Sequence, residues 1–234
     1  MIAIIPTHKV STGLPGKNLA SLANKPMLYY TISAALRAKS LETIFVASDD
    51  PAVLVYAKGF SVPTLTLPSE TTRGNSETVD SLAYCVPEIR RTTGYGGPIV
   101  TLRPTSPLRT SVHIEAAIKL FYLKQYESLV SVFSDTTCNP LRAKAMTSHG
   151  LLVNFAKFEG HPEEKLAPIL RQALPPAYFR NGALYITPQW ALEKRCLWTQ
   201  NCGAYIMSKK DSVNVNDADD LAIAEALLCH ATIP

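Results

Sequence analysis

The chain has no stretch of about 18 consecutive apolar residues, the length a membrane-spanning helix needs. Its first residues, Met1-Ile2-Ala3-Ile4-Ile5-Pro6, break at a proline and lack a charged lead, so a secretory signal is not expected. Cysteine is sparse and odd in number. The five residues Cys85, Cys138, Cys196, Cys202 and Cys229 include no Cys-x-x-Cys, which argues against a complete disulfide framework and against a zinc ribbon. A reduced, cytoplasmic setting is the expectation. An excess of one charge is also missing: Lys plus Arg number 23 and Asp plus Glu 19, a net +4. With no block of five or six basic residues, neither nucleic acid nor a membrane is expected as a partner, although a small anionic substrate would suit a locally basic cleft.

What is present fits a folded globule: 234 residues, 47% apolar and 18% charged. At roughly 150 residues per domain, this length allows one domain plus an appendage, or two small domains. Residues 2–5 form a continuous apolar run stopped by Pro6, the pattern of a strand buried on both faces. Met27, Leu28, Ile32, Ala35 and Leu36 share one helical face, residues 44–47 form the next buried run, and Pro51 and Gly59 bracket a second helix. Residues 62–67 read as extended, 76–90 as helix, 99–102 as strand, 111–124 as helix and 129–133 as strand. This alternation predicts an α/β fold with a parallel sheet and right-handed crossovers. From 134 to 179 the rhythm stops. A hairpin near 151–155 and the prolines Pro162, Pro168, Pro175 and Pro176 read as an inserted lobe rather than another β-α unit. Strand signals return at 183–186 and 204–207, and a helix at about 217–229.

The most informative segment is the loop after the first strand, Pro6-Thr7-His8-Lys9-Val10-Ser11-Thr12-Gly13-Leu14-Pro15-Gly16-Lys17-Asn18. Glycines, hydroxyls and lysines at the carboxyl end of a buried strand supply the backbone N–H groups and cations that a nucleoside triphosphate needs. The spacing is neither Gly-x-x-x-x-Gly-Lys-Ser/Thr nor Gly-x-Gly-x-x-Gly, and on pattern alone a solvated Gly/Pro loop is an equal alternative.

In order along the chain, residues 2–6, Gly13-Leu14-Pro15-Gly16-Lys17-Asn18, Ser48-Asp49, Arg103-Pro104-Thr105-Ser106-Pro107-Leu108-Arg109, Asn181-Gly182-Ala183-Leu184-Tyr185 and Val213-Asn214-Val215-Asn216 with Asp220-Leu221 resemble the N-acylneuraminate cytidylyltransferases, or CMP-sialic acid synthetases. The likeness covers nearly the whole chain. It implies a Rossmann-like three-layer αβα nucleotidyltransferase domain over 1–234, with a small dimerisation extension at about 138–180. It implies transfer of CMP from CTP to the anomeric hydroxyl of a sialic-acid-like nonulosonic acid, with Mg²⁺, release of pyrophosphate, and a homodimer.

The resemblance also assigns residues. Lys17 would neutralise phosphate charge and Asn18 would meet the cytosine edge, since an amide offers a donor and an acceptor. Ser11 and Gly13 match loop positions whose backbone approaches the phosphates. Thr78 matches a base-contacting hydroxyl, with a helix-surface threonine as the alternative. On the sugar side, Arg142 and Arg171 match cations of the dimerisation region, Asn181 and Tyr185 line the pocket, and Arg103 stands where sialic acid enzymes commonly carry glutamine. For the arginines the alternative is a surface salt bridge, and for Tyr185 a place in the core.

Departures from the family pattern sharpen the expectations. His8 and Thr12 replace two loop cations, and Lys9 restores one charge at a neighbouring position, which makes it a second candidate for the phosphates. His8 is either a neutral side chain in a core niche or an imidazole protonated beside phosphate. A family arginine is Leu67 here, with Arg73 the nearest replacement, and another is Phe179, with Arg180 following it. The family's Asp-x-Asp becomes Asn214-Val215-Asn216. Those amides would be the Mg²⁺ ligands, with Asp49 or Asp217 able to add a carboxylate, or Asn216 would serve as a helix N-cap. The lost cations and acids leave two other functions open: a non-catalytic relative that binds nucleotide or a partner, and transfer with a different base or sugar.

Overall fold

Alternation along the strands fixes which helices cover which face. The computed structural model describes residues 1–10, 13–68, 78–135, 138–155 and 174–230. In β1 (Ile2–Thr7) every residue is buried. Side chains of consecutive strand residues point to opposite faces, so Ala3 and Ile5 join one core and Ile2 and Ile4 another. After β1 come the short hairpin β2 (Ser21–Leu22) and β3 (Lys25–Pro26), then α1 (Met27–Leu36), β4 (Thr43–Ser48), α2 (Pro51–Lys58), β5 (Thr64–Thr66), α3 (Thr78–Thr93), β6 (Ile99–Leu102), α4 (Ser111–Leu123) and β7 (Ser128–Ser134). The hairpin β8 (Lys144–Met146) and β9 (Leu152–Asn154) follows, then β10 (Tyr178–Thr187), α5 (Gln189–Glu193), β11 (Cys202–Ile206) and α6 (Ala218–His230).

The first core packs Leu28 and Ile32 of α1, Val53 and Ala57 of α2, and Ile114, Ile118 and Phe121 of α4 against Ala3, Ile5, Val46, Val100 and Leu184. The second packs Val79, Leu82, Val86 and Ile89 of α3 with Leu192 of α5 against Ile2, Ile4, Phe45 and Ile99. Helix, sheet and helix therefore form three layers, the α/β architecture expected. α2 begins and ends where its sequence requires. Asp50 Oδ1 accepts from Ala52 N at 2.9 Å, Pro51 takes the first helical position, and Gly59 follows the last.

Seven strands form the sheet, in the order β11-β7-β10-β6-β1-β4-β5. β1 runs parallel to β4 and β6, β4 to β5, and β11 to β7. The all-parallel expectation fails at β10, which pairs antiparallel with β6, Tyr185 lying opposite Thr101. An apolar run carries no direction. The long excursion before β10 brings the chain back from the opposite end. β5 is shorter than the extended stretch expected over 62–67, and the five residues of α5 show no helical period of their own. No described helix is long and apolar enough to cross a membrane, and none of the five cysteines is bridged.

By its internal contacts the chain forms two units, Met1–Val132 with Arg180–Pro234, and Phe133–Phe179. The smaller holds the β8–β9 hairpin and a short turn at Pro140–Arg142, where Asn139 Oδ1 accepts from Leu141 N and Asn139 Nδ2 donates to Pro175 O at 2.9 Å. Its hairpin leaves Met146, Leu151, Leu152 and Phe155 each at least 66% exposed.

Candidate active site

The carboxyl end of β1 opens into the glycine-bearing loop. Thr7 ends the strand with its hydroxyl donating to Ala47 O at 3.0 Å, and the next turn is tied to β4 by Lys9 N, which donates to Asp49 Oδ1 at 2.7 Å. The loop returns through Lys17–Leu19, one turn of 3-10 helix entered at Gly16, whose φ of 65° favours glycine. Asn18 is buried, and its Nδ2 donates to His8 O at 3.0 Å. The Asn18 amide oxygen has no partner among the described residues. A small third core of Leu22, Met27, Val215 and Ala224, with Leu14 against it, props the loop from below. Gly13 is required by close approach: a side-chain carbon there would collide with Asn216 O.

Lys17 and Arg103 lie close enough to act on each other at this end of the sheet, Lys9 follows the same strand, and none of the three has an ion-pair partner among the described residues. Burial and the charge of Arg103 hold Lys17 below the usual lysine pKa. His8 lies among them. Its imidazole is held below its ordinary pKa chiefly by burial, with Arg103 and Lys17 pushing the same way against Asp49 and Asp80. A neutral ring results, and His8 Nε2 lies 2.8 Å from Ser81 Oγ. The niche is therefore polar, lined by a hydroxyl of α3, rather than a pocket in the apolar core. Thr78, half-buried, opens the same helix.

On the β6 and β10 side, Arg103 lies across Gly182, whose φ is 74°; a side-chain carbon at that glycine would stand 3.1 Å from Arg103 Nη1. Asn181 is buried among its neighbours. Its Oδ1 accepts from Ser131 Oγ at 2.6 Å and Ala183 N at 3.1 Å, and its Nδ2 donates to Ser212 Oγ at 2.9 Å and Met207 Sδ at 3.2 Å. Those four bonds use the whole capacity of the amide, so Asn181 braces β7, β10 and the 207–212 segment. Tyr185 is 5% exposed and sits in the sheet, the core alternative. Arg142 is exposed in the smaller unit. Ser11, Arg73 and Arg171 lie outside the described residues.

The carboxyl-terminal approach to the site is held by Val215 N, which donates to Thr105 O at 2.7 Å. Asn214 Oδ1 is buried and has no hydrogen-bond partner among the described residues. Asn216 is turned differently: its Nδ2 donates to Asn214 O at 3.1 Å and reaches Asp220 Oδ2. Nor is Asn216 the helix cap. Asp217 Oδ1 accepts from Asp220 N at 2.9 Å, one residue later than expected, while Asp220 Oδ2 accepts from Asn216 N. Among the described residues no three His, Cys, Asp or Glu side chains gather as a metal centre would require.

The cytidylyltransferase family profile matches residues 2–181, a span that holds the loop, Asp49, the Arg103–Arg109 turn and Asn181. The chain belongs to the cytidylyltransferase family. It is 28% identical over 230 residues to an N-acylneuraminate cytidylyltransferase of Escherichia coli O18:K1:H7, covering 96% of this chain and 51% of that one. It is 27% identical over 235 residues to the CMP-N,N'-diacetyllegionaminic acid synthase of Legionella pneumophila, covering 97% and 96%. The chain thus spans about half the length of the first relative and nearly all of the second. Among solved structures, a CMP:2-keto-3-deoxy-manno-octonic acid synthetase complexed with CTP superposes with a TM-score of 0.70 at 15% identity, covering 98% of each chain. That likeness concerns the fold.

Within this family member, sequence reasoning overlooked Arg109. It is 1% exposed, and Nη1 donates to Ala183 O at 2.8 Å and Arg103 O at 3.1 Å, joining the ends of β6 and β10. Its Nε and Nη2 have no partner among the described residues, and burial lowers its pKa to about 9. Only its place in the Pro-Thr-Ser-Pro-Leu-Arg segment marked it.

Proposed function

We propose that the chain transfers CMP from CTP to the anomeric hydroxyl of a sialic-acid-like nonulosonic acid and releases pyrophosphate. One observation carries this reading: Lys17 and Arg103, with Lys9 on the adjoining loop, have no ion-pair partner among the described residues at the carboxyl end of a central strand, where a polyanion would satisfy them. The anomeric oxygen attacks the α-phosphorus in line, so no protein nucleophile is needed. Lys17 and Lys9 stabilise charge developing on the departing pyrophosphate, and backbone at Gly13 lets the phosphates approach. Asn18, with its amide oxygen uncommitted, reads the base. The family relatives support the nucleotide and the sugar class.

A Mg²⁺ ion fits one residue well and a second only loosely. Asn214 Oδ1 is a hard oxygen without a partner among the described residues, whereas the Asn216 amide is oriented by its Nδ2, which donates to Asn214 O and reaches Asp220 Oδ2. Two neutral amides bind Mg²⁺ weakly unless phosphate oxygens complete its shell. Bound there, the ion would neutralise charge on the triphosphate. The smaller unit would pair two copies of the chain, because among the described residues nothing covers the exposed Met146, Leu152 and Phe155 of its two-stranded hairpin. Arg142 and Arg171 would then approach a sugar.

Pyrophosphate release from CTP, with and without Mg²⁺, over a panel of nonulosonic acids tests the proposal. Release with at least one sugar is expected. A second reading, nucleotide binding without turnover, draws on the missing carboxylates at 214 and 216. CTP binding by calorimetry with no release for any sugar would establish it instead.

A further inference from the structure

The geometry points to Arg103 as a ligand of the CTP phosphates, supplied from β6 rather than from the glycine loop, and not as a contact of the sugar alone. The inference rests on the reading of the chain as a CTP-using enzyme. Arg103 is the first residue after β6. In the β1–β6 register Ile4 lies opposite Thr101, so two residues further on Arg103 leaves the sheet beside the segment of β1 that leads into His8 and Lys9.

Its backbone is held at that point. Arg103 O accepts from Arg109 Nη1, which also grips Ala183 O, and from Ser106 N at 3.4 Å. Its side chain is seated as well. Gly182, at positive φ, leaves room for Nη1, Cδ and Cζ, which lie 3.1, 3.9 and 4.0 Å from where a side-chain carbon would stand. A planar guanidinium laid on bare backbone is restricted to directions along its own plane, which is the arrangement that favours forked binding of phosphate.

The neighbours define the ligand. No carboxylate among the described residues pairs with Arg103. Asp49 is engaged by Lys9 N, and Asp80 lies 3.2 Å from Arg195 Nε. The Arg103 charge reaches Lys17 and His8 and disfavours the charged form of each. Two like charges kept this close, with no acid between them, are relieved by an anion that spans both. A single sugar carboxylate neutralises one cation; a triphosphate neutralises several.

Calorimetric titration of CTP, inorganic pyrophosphate and N-acetylneuraminate into the wild type, Arg103→Gln and Arg103→Lys tests the assignment. A charge-assisted contact of this kind predicts a loss of CTP affinity of roughly 10- to 100-fold in Arg103→Gln. Pyrophosphate should weaken in parallel. Arg103→Lys, which keeps the charge and loses the fork, should fall between, with thermal melting of both variants like the wild type. An Arg103→Gln protein that binds CTP and pyrophosphate as the wild type does overturns the assignment, and weakened binding of N-acetylneuraminate alone would move Arg103 to the sugar side. Wild type that fails to bind CTP overturns the cytidylyltransferase reading, and this inference with it.

Discussion

Two polar regions of the larger unit are built on opposite rules. Around Asn181, the amide uses its full capacity on Ser131, Ser212, Met207 and the Ala183 backbone. At the ends of β1 and β6, Lys9, Lys17 and Arg103 have no ion-pair partner among the described residues. A buried polar group must be satisfied internally or it destabilises the fold, whereas a charge left unpaired at a loop is available to a ligand. The Asn181 network therefore braces the scaffold and the cations are left open to a ligand, although both lie in motifs that the family resemblance assigned to substrate.

The largest effect expected is functional. Lys17→Ala should lower kcat/KM for CTP by roughly 100-fold, the scale of a lost charge-assisted phosphate contact, with unchanged thermal melting. A melting point that drops with activity would make Lys17 part of the scaffold. The mirror experiment is Asn181→Ala, which strands buried Ser131, Ser212 and Ala183 N and should cost about 1–3 kcal/mol of stability. CTP affinity should hold; its loss at constant stability would erase the distinction between the two regions. Gly13→Ala forces the loop away from Asn216 O and should weaken CTP binding by about tenfold, in line with the penalty for overpacking a close contact. The smallest effect concerns pH. The His8 pKa is lowered on folding, so its contribution to stability is complete above the unperturbed imidazole value and is lost as pH falls through the lowered one. His8→Gln should flatten the fall in melting temperature on acidification, leaving the part due to His113, which burial also lowers.

The main strands, the longer helices and the start and stop of α2 were legible in the sequence because each rests on a local rule: period, or Pro51 and Gly59 at the ends of a helix. The direction of β10 was not, since apolar residues 183–186 pair equally well either way and only the 134–179 excursion decides. The bonding of Asn181 was not legible either. Its motif marks a position that matters, but the partners that occupy its amide come from residues 131, 207 and 212, beyond the reach of spacing. Arg109 was invisible because a buried arginine is normally betrayed by an acid, and here it holds carbonyls. The Asn214 and Asn216 pair also divides: identical side chains two residues apart end up differently, one oxygen without a partner among the described residues and one amide turned to Asp220.

A crystal structure with CTP tests the central claim most directly. The account predicts phosphate oxygens within roughly 2.7–3.2 Å of Lys17 Nζ and of the Arg103 guanidinium, with the base against Asn18 and the Asn181 network unchanged. A triphosphate bound elsewhere, with both cations still facing solvent, would contradict it.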